Sequence, residues 1–290
     1  MKGIIIKGIG GFYYVQSNGV LFACKPRGLF RKEKFKPLTG DIVNIETCLS
    51  GPGTITDIFP RKNCLHRPPI CNITQVVIIS AIVDPEINYL FLNKIAVMAE
   101  SIGIKVTLCF NKVDLIGEEE RDEILHQFIN TNYHIIFTSV KTGTGIEELK
   151  KKMYNEISVF SGASGVGKSS ILNKIIPELQ LQTGELSSKV SRGKHTTRHV
   201  ELYQLDHNSF IADTPGFSNI DIIKDIPEQE LKFLYPDFSQ YDGKCKFHSC
   251  LHHKEPGCAI KAAVEGEEIS STRYESYIQL LTEIHAYSEY

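Results

Sequence analysis

Nine consecutive residues carry the strongest chemical signal in the chain: Gly162, Ala163, Ser164, Gly165, Val166, Gly167, Lys168, Ser169 and Ser170. They match G-x-x-x-x-G-K-[ST]. Glycines at these places let successive backbone N–H groups turn inward onto a phosphate, and a helix starting at the lysine adds partial positive charge. Lys168 is the group that reaches the terminal phosphates, and the Ser169 hydroxyl is a ligand for Mg²⁺. Later in the chain DTPG, Asp213 to Gly216, closes the apolar run SFIAD. Asp213 there suits the Mg²⁺ shell, directly or through water, and the Gly216 N–H suits a γ-phosphate sensor.

A third motif names the base. In NKVD, which is Asn111, Lys112, Val113 and Asp114, the carboxylate can accept from both N1–H and the 2-amino group of guanine. Adenine offers neither, and a site built around such donors rejects the analogue that lacks them. Asn111 suits the purine's other edge, and the Lys112 stem suits its face. Ser139, Val140 and Lys141 open the loop after the next strand, where a backbone N–H can meet the guanine carbonyl. Together the motifs specify GTP over ATP. Their order is permuted, because NKVD and SVK precede the phosphate loop and DTPG instead of following them. Every strand is still present, so the sheet can assemble from re-cut termini. The segment after DTPG then leads straight into the C-terminal residues.

The fourth signal is CKFHSCLHHKEPGC. Cys245, Cys250 and Cys258 with one imidazole make a closed tetrahedral Zn²⁺ site, structural because no position is left for water. His252 completes C-x4-C-x-H-x5-C; His248 and His253 are spare candidates. Cys24, Cys48, Cys64, Cys71 and Cys109 are scattered and read as packing residues.

The elements that must position these groups fall into three stretches. Runs at 3–9, 11–16, 19–24, 40–46 and 53–59, punctuated by glycine, predict a five-stranded β-barrel of the OB-fold kind. After 69 the period changes. Strands at 75–83, 104–110, 133–139, 156–160, 199–205 and 209–213 alternate with helices at 88–101, 118–130, 146–154 and from 168. That alternation predicts an α/β domain with a mostly parallel sheet. From 223 onward the pattern is mainly helical around a cysteine-rich loop. The expected modules are 1–68, 69–222 and 223–290.

The 290 residues are 42% apolar and 23% charged, which excludes wholesale disorder, collagen and coiled coil. No apolar run is long enough to span a membrane, and the N-terminus makes a poor signal peptide, so a cytoplasmic protein with no membrane partner is expected. The net charge of −2 hides an asymmetry: residues 1–68 hold 11 Lys/Arg against 4 Asp/Glu. A basic module on an acidic remainder suits a polyanion. Most of that charge lies in KPRGLFRKEKFK, where Lys25, Arg27, Arg31, Lys32, Lys34 and Lys36 can reach phosphates and Phe30 and Phe35 can stack on bases.

The whole constellation resembles the RsgA/YjeQ family of circularly permuted, ribosome-small-subunit-dependent GTPases. The resemblance rests on NKVD, GASGVGKSS, RGKHTTRHVEL, DTPGF and the C-x4-C-x-H-x5-C spacing, and it spans essentially the whole chain. It implies a monomeric factor in late maturation of the 30S subunit that binds 16S rRNA and hydrolyses GTP to GDP when the subunit stimulates it. It also implies His252 as the fourth zinc ligand. RGKHTT then falls where a first switch belongs, with Thr197, rather than Thr196, as a Mg²⁺ ligand and with Arg192 and Lys194 as RNA contacts. Many GTPases orient the attacking water with a Gln after DxxG; here that residue is Phe217. His195 is the best candidate in the chain for that catalytic role, beside Lys168 and Thr197, and contact with RNA phosphate is its rival role. The alternative function is a GTP-gated RNA-binding checkpoint with negligible turnover.

Overall fold

The structure is a computed structural model and describes residues 1–28, 36–48, 51–66, 69–180, 200–213 and 226–288. Short alternating runs separated by glycine turns form β1 (Lys2–Ile9), β2 (Phe12–Ser17), β3 (Val20–Pro26), β4 (Ile42–Glu46) and β5 (Gly53–Ile58). They close into a barrel of order β1-β2-β3-β5-β4, with β4 pairing back onto β1. β3 and β5 run parallel and the other neighbours antiparallel. Ile5, Val15, Cys24, Val43, Ile45 and Ile55 fill the interior. This is the five-stranded, OB-like barrel that the sequence predicts, with strand ends shifted by a residue or two.

A hairpin of β6 (Cys64–His66) and β7 (Pro69–Cys71) follows the barrel and is absent from the sequence reading. Three-residue strands are too short to display an alternation. β8 (Gln75–Ala81) is buried at every residue, as a strand covered on both faces must be. After it come α1 (Tyr89–Ser101), β9 (Lys105–Asn111), α2 (Glu118–His126), β10 (His134–Thr138), α3 (Ile146–Lys152), β11 (Ile157–Ser161), α4 (Lys168–Ile175), β12 (Leu202–Gln204) and β13 (Phe210–Asp213). The six strands β8 to β13 form one sheet of order β10-β9-β8-β11-β13-β12. β10 runs parallel to β9 and β11 parallel to β13, while the short β12 is antiparallel to β13.

Local chemistry sets the helix ends. The Asn88 side chain caps α1 by accepting from the Phe91 N–H at 2.9 Å. In α3, Glu147 and Glu148 occupy the first turn and Lys150 to Lys152 the last, which matches the helix dipole. α2 stops at His126 rather than near 130. Asn130 and Asn132 take left-handed backbone, and the Thr131 hydroxyl donates to the Phe128 carbonyl, so the chain turns out of the helix there.

The chain divides into two compact units. One comprises 1–77, 147–161 and 169–217; within it, Lys7 Nζ meets the Glu201 carboxylate at 3.0 Å and the Thr39 hydroxyl donates to the Val200 carbonyl at 3.1 Å. The other comprises 78–146, 162–168 and 218–290. Its tail holds α5 (Glu228–Leu231), α6 (Ala259–Glu265) and α7 (Ser271–Ser288), the mainly helical ending that the sequence predicts. Tyr235, Phe238, Ile260, Tyr277, Leu280 and Ile284 build its core together with Val97 of α1.

At the centre of this unit Arg273 is almost fully buried. Its guanidinium forms two bonds with Asp237, at 2.5 and 3.2 Å, donates to Asn93 Oδ1 and lies over the Tyr235 ring at 4.6 Å. A buried charge survives only when it is paired and hydrogen-bonded in this way. Asn93 sits on α1 and Arg273 on α7, so the pair pins the C-terminal helix to the α/β layer.

Candidate nucleotide and metal sites

β11 ends at Ser161 and α4 begins at Lys168, so the phosphate loop has the strand before and helix after that its chemistry needs. Two of its glycines are obligatory for different reasons. A side chain on Gly162 would strike the Ile79 carbonyl at 2.2 Å. Gly167 has φ +97°, and a Cβ there would lie 2.3 Å from the Asn111 amide nitrogen. Lys168 folds back over the loop and donates to the carbonyls of Gly162 and Ala163, at 2.8 and 2.6 Å. A phosphate is the natural competitor for that ammonium.

One of the residues expected to read the base reaches the same loop. Asn111, last residue of β9, is buried; its amide donates to the Val166 carbonyl at 3.0 Å, and its oxygen accepts from the Thr138 hydroxyl at 3.3 Å. Thr138 in turn contacts Cys109 Sγ at 3.4 Å. In this arrangement Asn111 braces the phosphate loop, a role that the sequence reading, which aimed it at the purine, did not foresee. Lys112 takes left-handed backbone at φ +68° and donates to the Asp84 carbonyl, from the loop after β8.

Asp114, expected to read the base, has well-defined partners. The Ser139 hydroxyl donates to its Oδ1 at 2.6 Å, and Lys141 stands 3.9 Å from its Oδ2. The Ser139 hydrogen bond, helped by Lys141, holds this carboxyl below the ordinary carboxylate range. It therefore stays an acceptor-only group, as reading N1–H and the 2-amino group requires. Asp114→Asn offers one acceptor and one donor instead, which matches xanthine. We expect GTP affinity to fall by about 10²-fold or more, from roughly 1.5–3 kcal/mol per charged hydrogen bond, while XTP binding rises. Competition between GTP and XTP for a fluorescent analogue measures both; unchanged GTP affinity would remove Asp114 from base recognition.

Other expected site residues divide by location. Phe160 of β11 pairs with Asp213, which ends β13 as predicted. Gly216, Phe217, Arg192, Lys194, His195, Thr196 and Thr197 lie outside the described residues, as do Arg31, Lys32 and Lys34. Lys25, Arg27 and Lys36 are exposed, and Lys25 Nζ lies 4.7 Å from the centre of the Phe12 ring.

In the C-terminal loop Cys245, Cys250, His252 and Cys258 bring one ligand atom each to within 4.8 Å of one another. His252 Nδ1 lies 3.5 Å from Cys245 Sγ and 3.4 Å from Cys258 Sγ. A tetrahedron with metal–sulfur bonds of about 2.3 Å and a metal–nitrogen bond of about 2.0 Å has edges in the ~3.5–3.8 Å range, so the donors fit that geometry. Of the three histidines the structure selects His252, which adopts φ +58° to present Nδ1 inward. Burial lowers this imidazole to about 4 and raises Cys250 to about 12.

A supporting shell surrounds the four ligands. The N–H groups of Ala259 and His252 point at Cys245 Sγ and Cys250 Sγ, at 3.3 and 3.4 Å. Glu255 accepts from the Leu251 and His253 N–H groups, and Tyr274 and Tyr277 donate to the carbonyls of His252 and Leu251. Such outer contacts fix ligand orientation. The two tyrosines come from α7, and no spacing in the sequence announces them. Of the scattered cysteines, Cys24, Cys71 and Cys109 are buried and Cys64 half-buried, but Cys48 is exposed, so the packing reading fails there because β4 has already ended.

The family described as RsgA GTPase matches residues 58–223, and the RsgA N-terminal domain matches residues 2–55. The chain belongs to the RsgA GTPase family. Among its relatives, the small ribosomal subunit biogenesis GTPase RsgA of Clostridium beijerinckii is 45% identical over 98% of this chain and 97% of its own. The RsgA of Clostridium acetobutylicum is 45% identical over the full length of both chains. Among solved structures, YjeQ from Thermotoga maritima superposes with a TM-score of 0.85 at 36% identity, covering 98% of each chain. YloQ, a circularly permuted GTPase, superposes with a TM-score of 0.83 at 36% identity over 98% of this chain and 95% of its own. The permuted motif order of this chain agrees with the description of YloQ as circularly permuted. RsgA GTPases hydrolyse GTP, and this chain is an enzyme of that class.

Proposed function

We propose that this chain is a Mg²⁺-dependent GTPase that acts in late maturation of the 30S ribosomal subunit, in the cytoplasm and as a monomer. The observation that carries the reading is the joined site: Asp114 braced by Ser139, and Asn111 tied to the phosphate loop at Val166. The partner is taken from the relatives, which are named for small ribosomal subunit biogenesis. The chain reads as three modules, 1–68 for RNA, 69–222 for GTP and 223–290 around the metal.

Within the site, Lys168 and the loop N–H groups bind the phosphates, and Asp114 and the 139–141 loop select guanine. The hydroxyls of Ser169 and Thr197 and the Asp213 carboxylate are hard oxygen donors of the kind Mg²⁺ takes. Bound there, the ion would neutralise charge on the transferring phosphate. Phe217 offers water no hydrogen bond, so His195 takes the orienting role once the subunit fixes it. Cys245, Cys250, His252 and Cys258 hold Zn²⁺, which is structural because the protein fills all four positions. Lys25, Arg27, Arg31, Lys32, Lys34 and Lys36, with Arg192 and Lys194, meet 16S rRNA phosphates.

GTP hydrolysis by the purified protein, alone and with isolated small subunits, tests the reading, with large subunits as control. We expect turnover to rise tenfold or more with small subunits only, equivalent to about 1.4 kcal/mol or more off the barrier. Tight GTP-dependent binding without stimulation would replace the enzyme reading with the checkpoint reading.

A further inference from the structure

The hairpin that the sequence did not reveal places two thiols face to face. Cys64 of β6 and Cys71 of β7 are direct partners in the antiparallel ladder. The bond from the Asn72 N–H to the Asn63 carbonyl, at 3.0 Å, marks the adjacent pair as hydrogen-bonded. The Cys71 N–H turns away from β6 and donates to the Thr39 carbonyl at 2.9 Å. Cys64 and Cys71 therefore form a non-hydrogen-bonded pair, the type in which Cα atoms stand about 4.5 Å apart and side chains approach most closely. That spacing lies within the roughly 4.4–6.8 Å range that disulfides span. The Cys64 thiol points at the Leu65 carbonyl, 3.8 Å away, so no strong bond ties it elsewhere.

The surroundings hold this arrangement. Cys71 is fully buried and its carbonyl is packed against Gly40, where a Cβ would lie 2.0 Å from the Cys71 oxygen. Asn63 and Asn72 lock the ends of the hairpin through bonds to Ile73, Lys62 and Gly40, at 2.8 to 2.9 Å. Arg61, held in a two-bond ion pair with the buried Asp41, acts electrostatically on both sulfurs. Cys64 is half-buried and so is the thiol that a small oxidant can reach.

We propose that Cys64 and Cys71 are a reversible dithiol–disulfide site whose oxidant is a small hydroperoxide. The Cys64 thiolate attacks the peroxide oxygen, the O–O bond breaks, and sulfenic acid forms as water leaves. Cys71 sulfur then attacks the sulfenic sulfur, the S–S bond forms and a second water departs with the Cys71 proton. In total two thiols and one hydrogen peroxide give one disulfide and two waters. A small dithiol returns two electrons and two protons. Burial raises the Cys71 thiol, which makes the second attack the slow step, and the Arg61 cation opposes that effect. The bond would lock the hairpin against Thr39, whose hydroxyl holds the Val200 carbonyl.

The test uses the full-length, zinc-loaded protein, graded hydrogen peroxide, alkylation under denaturing conditions and peptide mass analysis. Trypsin spares the Arg67–Pro68 bond, so both thiols fall in the single peptide 63–94. We expect that peptide to become lighter by two hydrogens and lose both alkylation sites, to recover with dithiothreitol, and to do so while zinc stays bound. Cys71→Ser should stop at a Cys64 sulfenic acid that dimedone traps, and Cys64→Ser should leave Cys71 alkylatable. Two results would overturn the proposal: both thiols of 63–94 surviving until the zinc ligands oxidise, or Cys64 advancing to sulfinic acid beside an intact Cys71.

Discussion

Replacing Lys168 with alanine is expected to lower subunit-stimulated GTP turnover by roughly 10²–10³-fold, the cost of removing one preorganised charge partner from a developing oxyanion. Its ammonium rests on the Gly162 and Ala163 carbonyls, which water can solvate once it is gone. The fold should therefore survive, and circular dichroism and melting temperature should match the parent. The loss should fall mainly on kcat, because the lysine gains most where charge accumulates on the transferring phosphoryl group. Single-turnover hydrolysis at saturating GTP separates that effect from binding. Unchanged turnover would mean that residues 162–170 do not hold the nucleotide.

The second large effect is loss of metal from the C-terminal loop. Cys250→Ser is expected to abolish zinc content and to unfold the segment around 242–266 before anything else. Structural zinc contributes about 10–16 kcal/mol in small zinc-finger peptides at neutral pH, and much of the order here depends on it. Cys258 is the N-cap residue of α6, and the Ala259 N–H is capped by the Cys245 sulfur, so the ligand loop and that helix come apart together. Without metal, buried thiols as weakly acidic as Cys250 stay protonated and leave their neighbours poorly satisfied. α7 should persist, because Arg273, Asp237 and Asn93 pin it to α1 and Lys94 meets Glu283 at 2.7 Å. Hydrogen exchange read by peptide should show protection lost at 242–266 and retained in α1 and β9. Full zinc by elemental analysis in Cys250→Ser would rule out this ligand set.

The sequence revealed what depends on local spacing and periodicity. Strands of five or more residues, the phosphate loop, NKVD and the C-x4-C-x-H-x5-C run are all contiguous, so their chemistry is visible in the string. Groups that find their partners across the fold were not. Nothing in RYESYIQ marks Arg273 as buried, since its partners are 36 and 180 residues away. The motif around Asn111 speaks of a purine; its bond to Val166 exists only after the fold brings β9 and the phosphate loop together. The β6–β7 hairpin hid because its strands are shorter than one full alternation, and Cys64 and Cys71 became a pair only through its register.

The Asn111–Val166 bond has a thermodynamic meaning beyond holding a loop. On the proposed reading, the guanine end and the phosphate end of the nucleotide meet the two partners of one buried hydrogen bond, and linkage then requires each end to change the affinity for the other by the same factor. Guanosine and pyrophosphate offered as separate pieces would report that factor, each titrated with and without the other.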